Sequence, residues 1–204
     1  MTEQCWDRVA DEVNFNLEID IHRFINVVSK DSKILDFGCG YGRISNELTS
    51  YGYSVIHGVD SSLKMIERGI RDYPKLLLQH ISGQELPYPD ECFDAIISCA
   101  VFTCITSPDQ RISQINELYR VLKPSGTLHL VEFCSEVSRT FTSGVGITMC
   151  HSTPEELRQL VNGFSLNHEE VIETTTMSND QAKCYSLFAK KSLNRCMNST
   201  ILLM

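Results

Sequence analysis

The sequence predicts an α/β fold: one doubly wound sheet of about seven strands, mostly parallel, covered by helices on both faces. Three observations carry this expectation. Apolar runs of strand length alternate with segments of helical periodicity along most of the chain. Runs such as "DAIIS" (94–98) are apolar on both faces, as strands buried between two helical layers must be. The first run opens into "GCGYG" (38–42), a glycine-rich turn ahead of a helical pattern.

The elements follow in order. Val13, Leu17, Ile21, Phe24, Ile25 and Val28 recur at helical spacing and predict a helix over 13–28. Residues 33–37 read as a strand, and 41–51 as a helix with Ile44, Leu48 and Tyr51 facing inward. "YSVIHGVD" (53–60) is the second strand, and the helix at 61–70 takes Ser61 or Ser62 as its N-cap. Strands at 75–81 and 92–101 precede a helix over 107–123, with Pro108 in its first turn and Ile112, Ile115, Leu118 and Leu122 on one face. "PSG" (124–126) marks the stop, and "TLHLVEF" (127–133) is the fifth strand. A loop over 134–152, a helix over 153–162 and weaker strands at 165–174 and 183–190 complete the pattern. Residues 1–191 are expected to form one domain, with 1–30 as an N-terminal helix and lid and 134–152 as a substrate loop. Residues 192–204 carry no pattern and read as a tail.

Composition narrows the function classes. The 204 residues suit a single domain. A net charge of −8 opposes a phosphate backbone, so no nucleic acid partner is expected. No run of 18 apolar residues occurs, so no membrane span is expected. The N-terminus "MTEQCWDRVADEV" is acidic and does not read as a signal peptide, which points to the cytoplasm. Nine cysteines, among them Cys196, stand without a CxxC pair, so reduced thiols and no metal site are expected.

In an open parallel sheet, ligands bind beyond the carboxyl ends of the strands. The glycines at 38, 40 and 42 sit there and let the backbone approach a ligand without a Cβ in the way. The dinucleotide fingerprint needs a small residue where this chain has Arg43, which weakens a pyrophosphate reading. Asp60 ends the second strand, 22 residues after Gly38, where an acid can accept both ribose hydroxyls. An acid at the loop itself, Asp36, suits an ammonium rather than phosphates. Ribose and ammonium together indicate S-adenosylmethionine.

At these residues the chain resembles the class I S-adenosylmethionine-dependent methyltransferases of small-molecule type. "ILDFGCGYGRIS" resembles the family's first motif, and "HGVDSSLKMIERG" its acidic second-strand end with the following helix. "ISGQELPYPDECFDAIIS" resembles the third-strand loop and fourth strand, and "ELYRVLKPSGTLHLVEF" the helix, turn and fifth strand, with Ser125 in place of a glycine. The resemblance implies a Rossmann-like sheet with an antiparallel last strand. It also implies that Gly38, Cys39 and Gly40 wrap the methionine moiety of S-adenosylmethionine, released as S-adenosylhomocysteine. Asp36 would orient the loop and meet the ammonium directly or through water. Asp60 would take the ribose with Ser61 beside it, Met65 would stand close to the adenine, Ser82 and Gly83 would border it, and Cys99 would offer its carbonyl to the amine. Ser82 departs from the family's acid at the adenine, and Thr103-Cys104 stands where many relatives carry two histidines.

Bland readings stand beside these. Asp60 can also cap a helix, Met65 can belong to the core, and Trp6 is either a core anchor or a lid residue. His151, just before a helix start, is either a general base or simply a residue near that start. The mouth is expected to be lined by Phe102, Thr103, Phe133, Phe141 and Met149, which suits a small flat substrate. With His151 as the one candidate base, methylation of a ring nitrogen is expected ahead of a phenol or carboxylate oxygen. Two readings from other classes remain at this level: a nicotinamide-dependent oxidoreductase, and a relative that holds the cofactor without turnover. A monomer or weak dimer is expected.

Overall fold

The computed structural model describes residues 2–192. The tail assigned to 192–204 lies outside them apart from Ser192, as does Cys196. The elements are α1 (Thr2–Val9), α2 (Ile21–Val27), β1 (Ile34–Phe37), α3 (Arg43–Ser50), β2 (Ile56–Asp60), α4 (Leu63–Asp72), β3 (Leu77–His80), β4 (Phe93–Cys99), a 3-10 turn (Phe102–Cys104), α5 (Pro108–Val121), β5 (Leu122–Cys134), β6 (Arg139–Thr142), β7 (Thr148–His151), α6 (Pro154–Leu160), β8 (Phe164–Thr175) and β9 (Gln181–Lys191).

Seven strands form one sheet in the order β3-β2-β1-β4-β5-β9-β8. The pairs β1–β2, β1–β4, β2–β3 and β4–β5 are parallel, and β9 runs antiparallel to both of its neighbours. Strand order reverses between β1 and β4, so a crevice opens beyond their carboxyl ends. Side chains alternate across the sheet. Leu35, Phe37, Ile96, Leu128 and Leu130 pack with Leu118 and Val121 of α5 on one face. Ile34, Ile56, Ala95 and Ile97 pack with Phe24 of α2 and Leu48 of α3 on the other. This burial on both faces is the reason "ILDF" and "DAIIS" carry no polar alternation.

The long N-terminal helix expected over 13–28 is not formed. Only Ile21–Val27 is helical, and the Asp20 carboxylate caps it by accepting from the Arg23 amide at 2.9 Å. Upstream of it, side chains of the core take over the backbone partners. Arg68 donates to the carbonyls of Ala10 and Val13, Arg43 to that of Leu17, and the Phe15 amide donates to the Tyr41 hydroxyl. The segment is thereby held as an irregular strap, with these four backbone groups satisfied.

Three smaller differences have local causes. Tyr51, expected inward, is the exposed C-cap of α3. "PSG" does not end an element: β5 starts at Leu122 and absorbs the turn as an irregularity, with Ser125 left-handed at φ 62°. The segment 134–152 is not a bare loop, because β6 and β7 pair as a hairpin with Arg139 opposite His151.

Ser62 is fully buried at the start of α4; it accepts from the Met65 amide at 3.2 Å and donates to Asp7 at 2.6 Å. Replacing it with alanine should lower stability by about 1 kcal/mol, the usual value of an N-cap. A chemical denaturation midpoint equal to that of the parent chain would contradict this.

Candidate active site

A cavity of about 410 Å³ opens beyond the carboxyl ends of β1, β2 and β4. Its floor is the turn after β1. Gly38 adopts φ 70°, and a Cβ there would lie 2.3 Å from a methyl of Val101, so this position admits no side chain. The amides of Gly38 and Cys39 both donate to the Val59 carbonyl, at 2.8 and 3.0 Å, which ties the turn to β2.

Asp60 lines the cavity at the end of β2. One of its oxygens accepts from the Gly40 amide and the other from the Ser62 amide, both at 2.8 Å. Burial pushes its pKa up, and these two amides pull it back. Each oxygen keeps a further lone pair free to accept. Beside it stand Ser61 and Met65, with Ile81 and Gly83 beyond β3.

Asp36 does not reach the cavity. It is buried, and one of its oxygens accepts from the Ser45 hydroxyl at 2.6 Å and the Ser45 amide at 3.1 Å. Burial raises its pKa to about 6 against those bonds. Its place is to pin β1 to α3, so the expected direct contact with an ammonium is corrected. Ser82 is exposed and outside the wall, while Gly83 is in it.

The cavity is also lined by Trp6, Phe15, Leu17, Cys99, Thr103, Phe133, Met149 and Met177, and by Gln110 and Gln114; the side-chain amide of Gln114 donates to the Gln84 carbonyl at 3.1 Å. Trp6 packs edge-on against Phe15, whose ring stacks on Tyr41 at 5.4 Å. Phe102, expected at the mouth, points into the core against Phe37 instead. Phe141 also lies outside the wall: its edge meets His151 at 4.8 Å.

His151 is buried, and its ring stacks behind Phe133 at 5.4 Å rather than facing the cavity. Burial, followed by the charge of Arg139, pushes its pKa down to about 4. A base so weak and so placed is a poor proton acceptor. The depressed value has a thermodynamic consequence. Between roughly pH 6.5 and 4 the unfolded chain takes a proton on this histidine and the folded chain does not, so its contribution to stability is lost as pH falls through that window. His151→Phe should flatten the acid side of the stability profile, read from urea unfolding at pH 4.5 and 7; an unchanged slope would contradict this account.

Sequence reading missed Glu132. It is fully buried on β5 and accepts from the amides of Val101, Phe102 and Thr103 and from the Thr103 hydroxyl, at 2.8–3.0 Å. Burial pushes it up to about 7 against the pull of these four donors. Glu132 therefore shapes the turn after β4 whose Val101 closes on Gly38. Arg111 braces the same turn, donating to the carbonyls of Phe102 and Ile105 and to the Ser152 hydroxyl beyond the hairpin. An acid inside the apolar run "LHLVEF" was the available signal. Gln110 and Gln114 also had one, a polar pair a helical turn apart on α5. Met177 and Phe15 arrive by tertiary structure alone.

Among the described residues, one group of side chains has metal-ligating chemistry: Asp20, His168 and Glu170, outside this cavity. Asp20 there already pairs with Arg23 and caps α2. No helix among the described residues is long and apolar enough to cross a membrane.

Comparison with known proteins is consistent with this architecture. Residues 35–130 match the family described as a methyltransferase domain. The chain is 28% identical over 162 residues to a sterol 24-C-methyltransferase of Neurospora crassa, spanning 70% of this chain but only 42% of that protein. It is 24% identical over 216 residues to the ubiquinone/menaquinone biosynthesis C-methyltransferase UbiE of Methylococcus capsulatus, covering 96% of this chain and 85% of the relative. Among solved structures, an S-adenosylmethionine-dependent methyltransferase of Methanosarcina mazei superposes with a TM-score of 0.78 at 27% identity, over 88% of this chain and 100% of that one. The 1,6-didemethyltoxoflavin-N1-methyltransferase of Burkholderia thailandensis, solved with bound 1,6-didemethyltoxoflavin and S-adenosylhomocysteine, shares the fold at a TM-score of 0.67 and 16% identity, over 93% of this chain and 79% of that one.

Proposed function

The chain belongs to the class I S-adenosylmethionine-dependent methyltransferases, and on that premise we propose that it methylates a small, flat, largely apolar molecule, at a ring nitrogen ahead of a phenol oxygen. The observation that carries the nitrogen preference is the acceptor side of the cavity. Phe133, Met149, Met177 and Trp6 line the cavity together with Gln110 and Gln114, and among the described residues its one carboxylate is Asp60 and no histidine lines it. A phenol must lose its proton to a base as it reacts, whereas a neutral nitrogen attacks through its own lone pair. The volume agrees with a small acceptor. About 410 Å³ lies near the lower end of ligand pockets, which run roughly 300–1,000 Å³, and it has to hold the cofactor as well.

The residues present fit the cofactor. Gly38, Cys39 and Gly40 of the turn after β1 line the cavity, and Asp60 keeps free lone pairs at the end of β2. When bound, S-adenosylmethionine supplies an electrophilic methyl group on a sulfonium. In this reading Gly38, Cys39 and Gly40 lie along its methionine moiety, Asp60 and Ser61 hold the ribose, and Met65, Ile81 and Gly83 flank the adenine. Cys99 acts through its backbone carbonyl, since burial pushes its thiol pKa up and keeps it protonated. Thr103 is a wall residue whose hydroxyl is committed to Glu132. Phe133 and Met149 fix the plane of the acceptor, and Trp6 closes the cavity from the N-terminal strap. The protein's part in the reaction is alignment of nucleophile and methyl, which can lower a barrier by about 7–11 kcal/mol.

A second reading has one observation in its favour. The two curated relatives above carry the names of carbon methyltransferases. An electron-rich carbon also attacks the methyl before it loses a proton, so the same base-free wall serves it. Calorimetry with S-adenosylhomocysteine and with NAD, followed by a screen of heterocycles, phenols and polyenes, tests the proposal. Binding of S-adenosylhomocysteine alone and an N-methyl product are expected; saturable binding of NAD alone would overturn the cofactor assignment. A C-methyl signal in the product's NMR spectrum would select the second reading. His151→Phe should leave turnover within a few fold and its pH profile unaltered. A loss in the range of general-base catalysis, about 10²–10⁴-fold, would instead favour oxygen methylation.

A further inference from the structure

A second cleft, of about 600 Å³, opens between the N-terminal strap and the strands β8 and β9. Its lining includes Glu18, Asp20, Glu170 and Glu173, and no lysine or arginine among the described residues. A bulge in β8 sets its chemistry. Leu166 pairs with Ala189 and His168 with Phe188, so Asn167 is left over and His168 comes round to the face of Glu170. The ligating atoms of Asp20, His168 and Glu170 then lie within 4.8 Å of one another, with His168 Nε2 and Glu170 Oε1 3.3 Å apart. Asp20 is fixed there by the core. Its amide donates at 3.2 Å to Nε2 of the buried His129, whose Nδ1 therefore carries the proton and donates to the Leu187 carbonyl at 2.9 Å. An independent observation points into the same cleft. Ser186 lines it, is 1% exposed, and its hydroxyl has no hydrogen-bond partner. It stands directly opposite Glu170 in the β8–β9 register, so the two side chains share one face.

One imidazole nitrogen and two carboxylate oxygens suit a borderline divalent cation with water in its open position, whereas Mg²⁺ and Ca²⁺ take oxygen ligands alone. We propose that Asp20, His168 and Glu170 bind such a cation, of which Zn²⁺ is the representative, at a site separate from the active-site cavity. Carboxylates that ligate a metal are themselves held by hydrogen bonds, and the Ser186 hydroxyl supplies that bond once Glu170 turns onto the ion. The ion displaces only the Arg23 side chain from Asp20. That pair is 41% exposed at Arg23 and worth little, and the Arg23 amide keeps its own bond to the carboxylate. So bound, the cation clamps the end of the strap to β8. Asn16 and Leu17 of the strap line both this cleft and the active-site cavity, which puts the clamp against the cavity wall. The site is independent of the cofactor reading. Cysteine spacing is silent on it, because its ligands come from two segments far apart in the chain.

Calorimetry with Zn²⁺ alone, on the full chain treated with a chelator, should show one saturable site that His168→Ala abolishes and Glu170→Gln abolishes likewise. Both side chains are partly exposed, so these variants keep the fold. Ser186→Ala should weaken the site about 10- to 100-fold, the usual cost of losing an outer partner of a metal ligand. Zn²⁺ should raise the unfolding temperature of the parent and not that of His168→Ala, since an ion that binds only the folded chain stabilises it. Absorption spectra with Co²⁺ separate this site from the cysteines. The parent should show ligand-field bands without sulfur-to-metal charge transfer. A charge-transfer band, binding left unchanged by both His168→Ala and Glu170→Gln, or a parent chain without saturable binding would each overturn the proposal.

Discussion

Glu132→Ala should destabilise the fold by about 3–5 kcal/mol, one of the largest effects of any single substitution in this chain. The carboxylate receives three backbone N–H groups and a hydroxyl, all from residues 101–103. Removing it strands these donors in a buried site, where each unpaired group costs about 1–3 kcal/mol. The turn they form carries Val101, whose side chain fills the space over Gly38, and Thr103 in the cavity wall. Loss of S-adenosylhomocysteine binding should therefore accompany the lower stability. Glu132→Gln keeps one oxygen but turns an amide donor toward donors, so it should recover only part of the stability. Urea unfolding of the three proteins checks this. An alanine variant within 1 kcal/mol of the parent would show that the turn after β4 holds itself.

Asp60→Ala should weaken S-adenosylhomocysteine binding roughly 10- to 150-fold, equivalent to about 1.5–3 kcal/mol for hydrogen bonds to a charged group. The same side chain also organises the protein, since it accepts from the amides of Gly40 and Ser62. Asp60→Asn tests both roles at once. Asparagine retains one acceptor for the loop and can meet a single hydroxyl, but it turns an amide donor toward the other backbone amide, so stability and affinity should both fall between those of the parent and the alanine variant. Calorimetry reads the affinities and thermal unfolding reads the loop. Parent-like affinity in the alanine variant would remove the ribose assignment.

Much of this molecule is legible in its sequence because the relevant physics is local or periodic. Strands buried on both faces are predominantly apolar, and "ILDF" and "DAIIS" advertise β1 and β4 without reference to their neighbours. The turn at Gly38 demands a residue without a side chain, and a single acid, Asp60, marks the end of the next strand. Serine caps announce α4 and α5. These signals identify the sheet, its switch point and the cofactor end of the cavity.

Other features were decided elsewhere in the chain. The helical period over 13–28 is present, yet Arg68, Arg43 and Tyr41 supply competing partners for the backbone, and the segment becomes a strap over the cavity. Phe102 and Phe141 have the composition of a substrate mouth, but the turn held by Glu132 and the hairpin pairing aim them elsewhere. Asp36 and His151 have the right chemistry for ligand and base. Their burial, behind Ser45 and behind Phe133, sets one to bracing the loop and shifts the other out of its useful range. The sequence by itself thus determined the class of sheet, the glycine turn and the acid at the end of β2, since steric and burial rules act there on neighbouring residues. Which side chains face the cavity was decided by the tertiary structure alone, because that depends on hydrogen-bond partners distant in sequence, 31 residues apart for Glu132 and Val101 and 58 for Arg68 and Ala10.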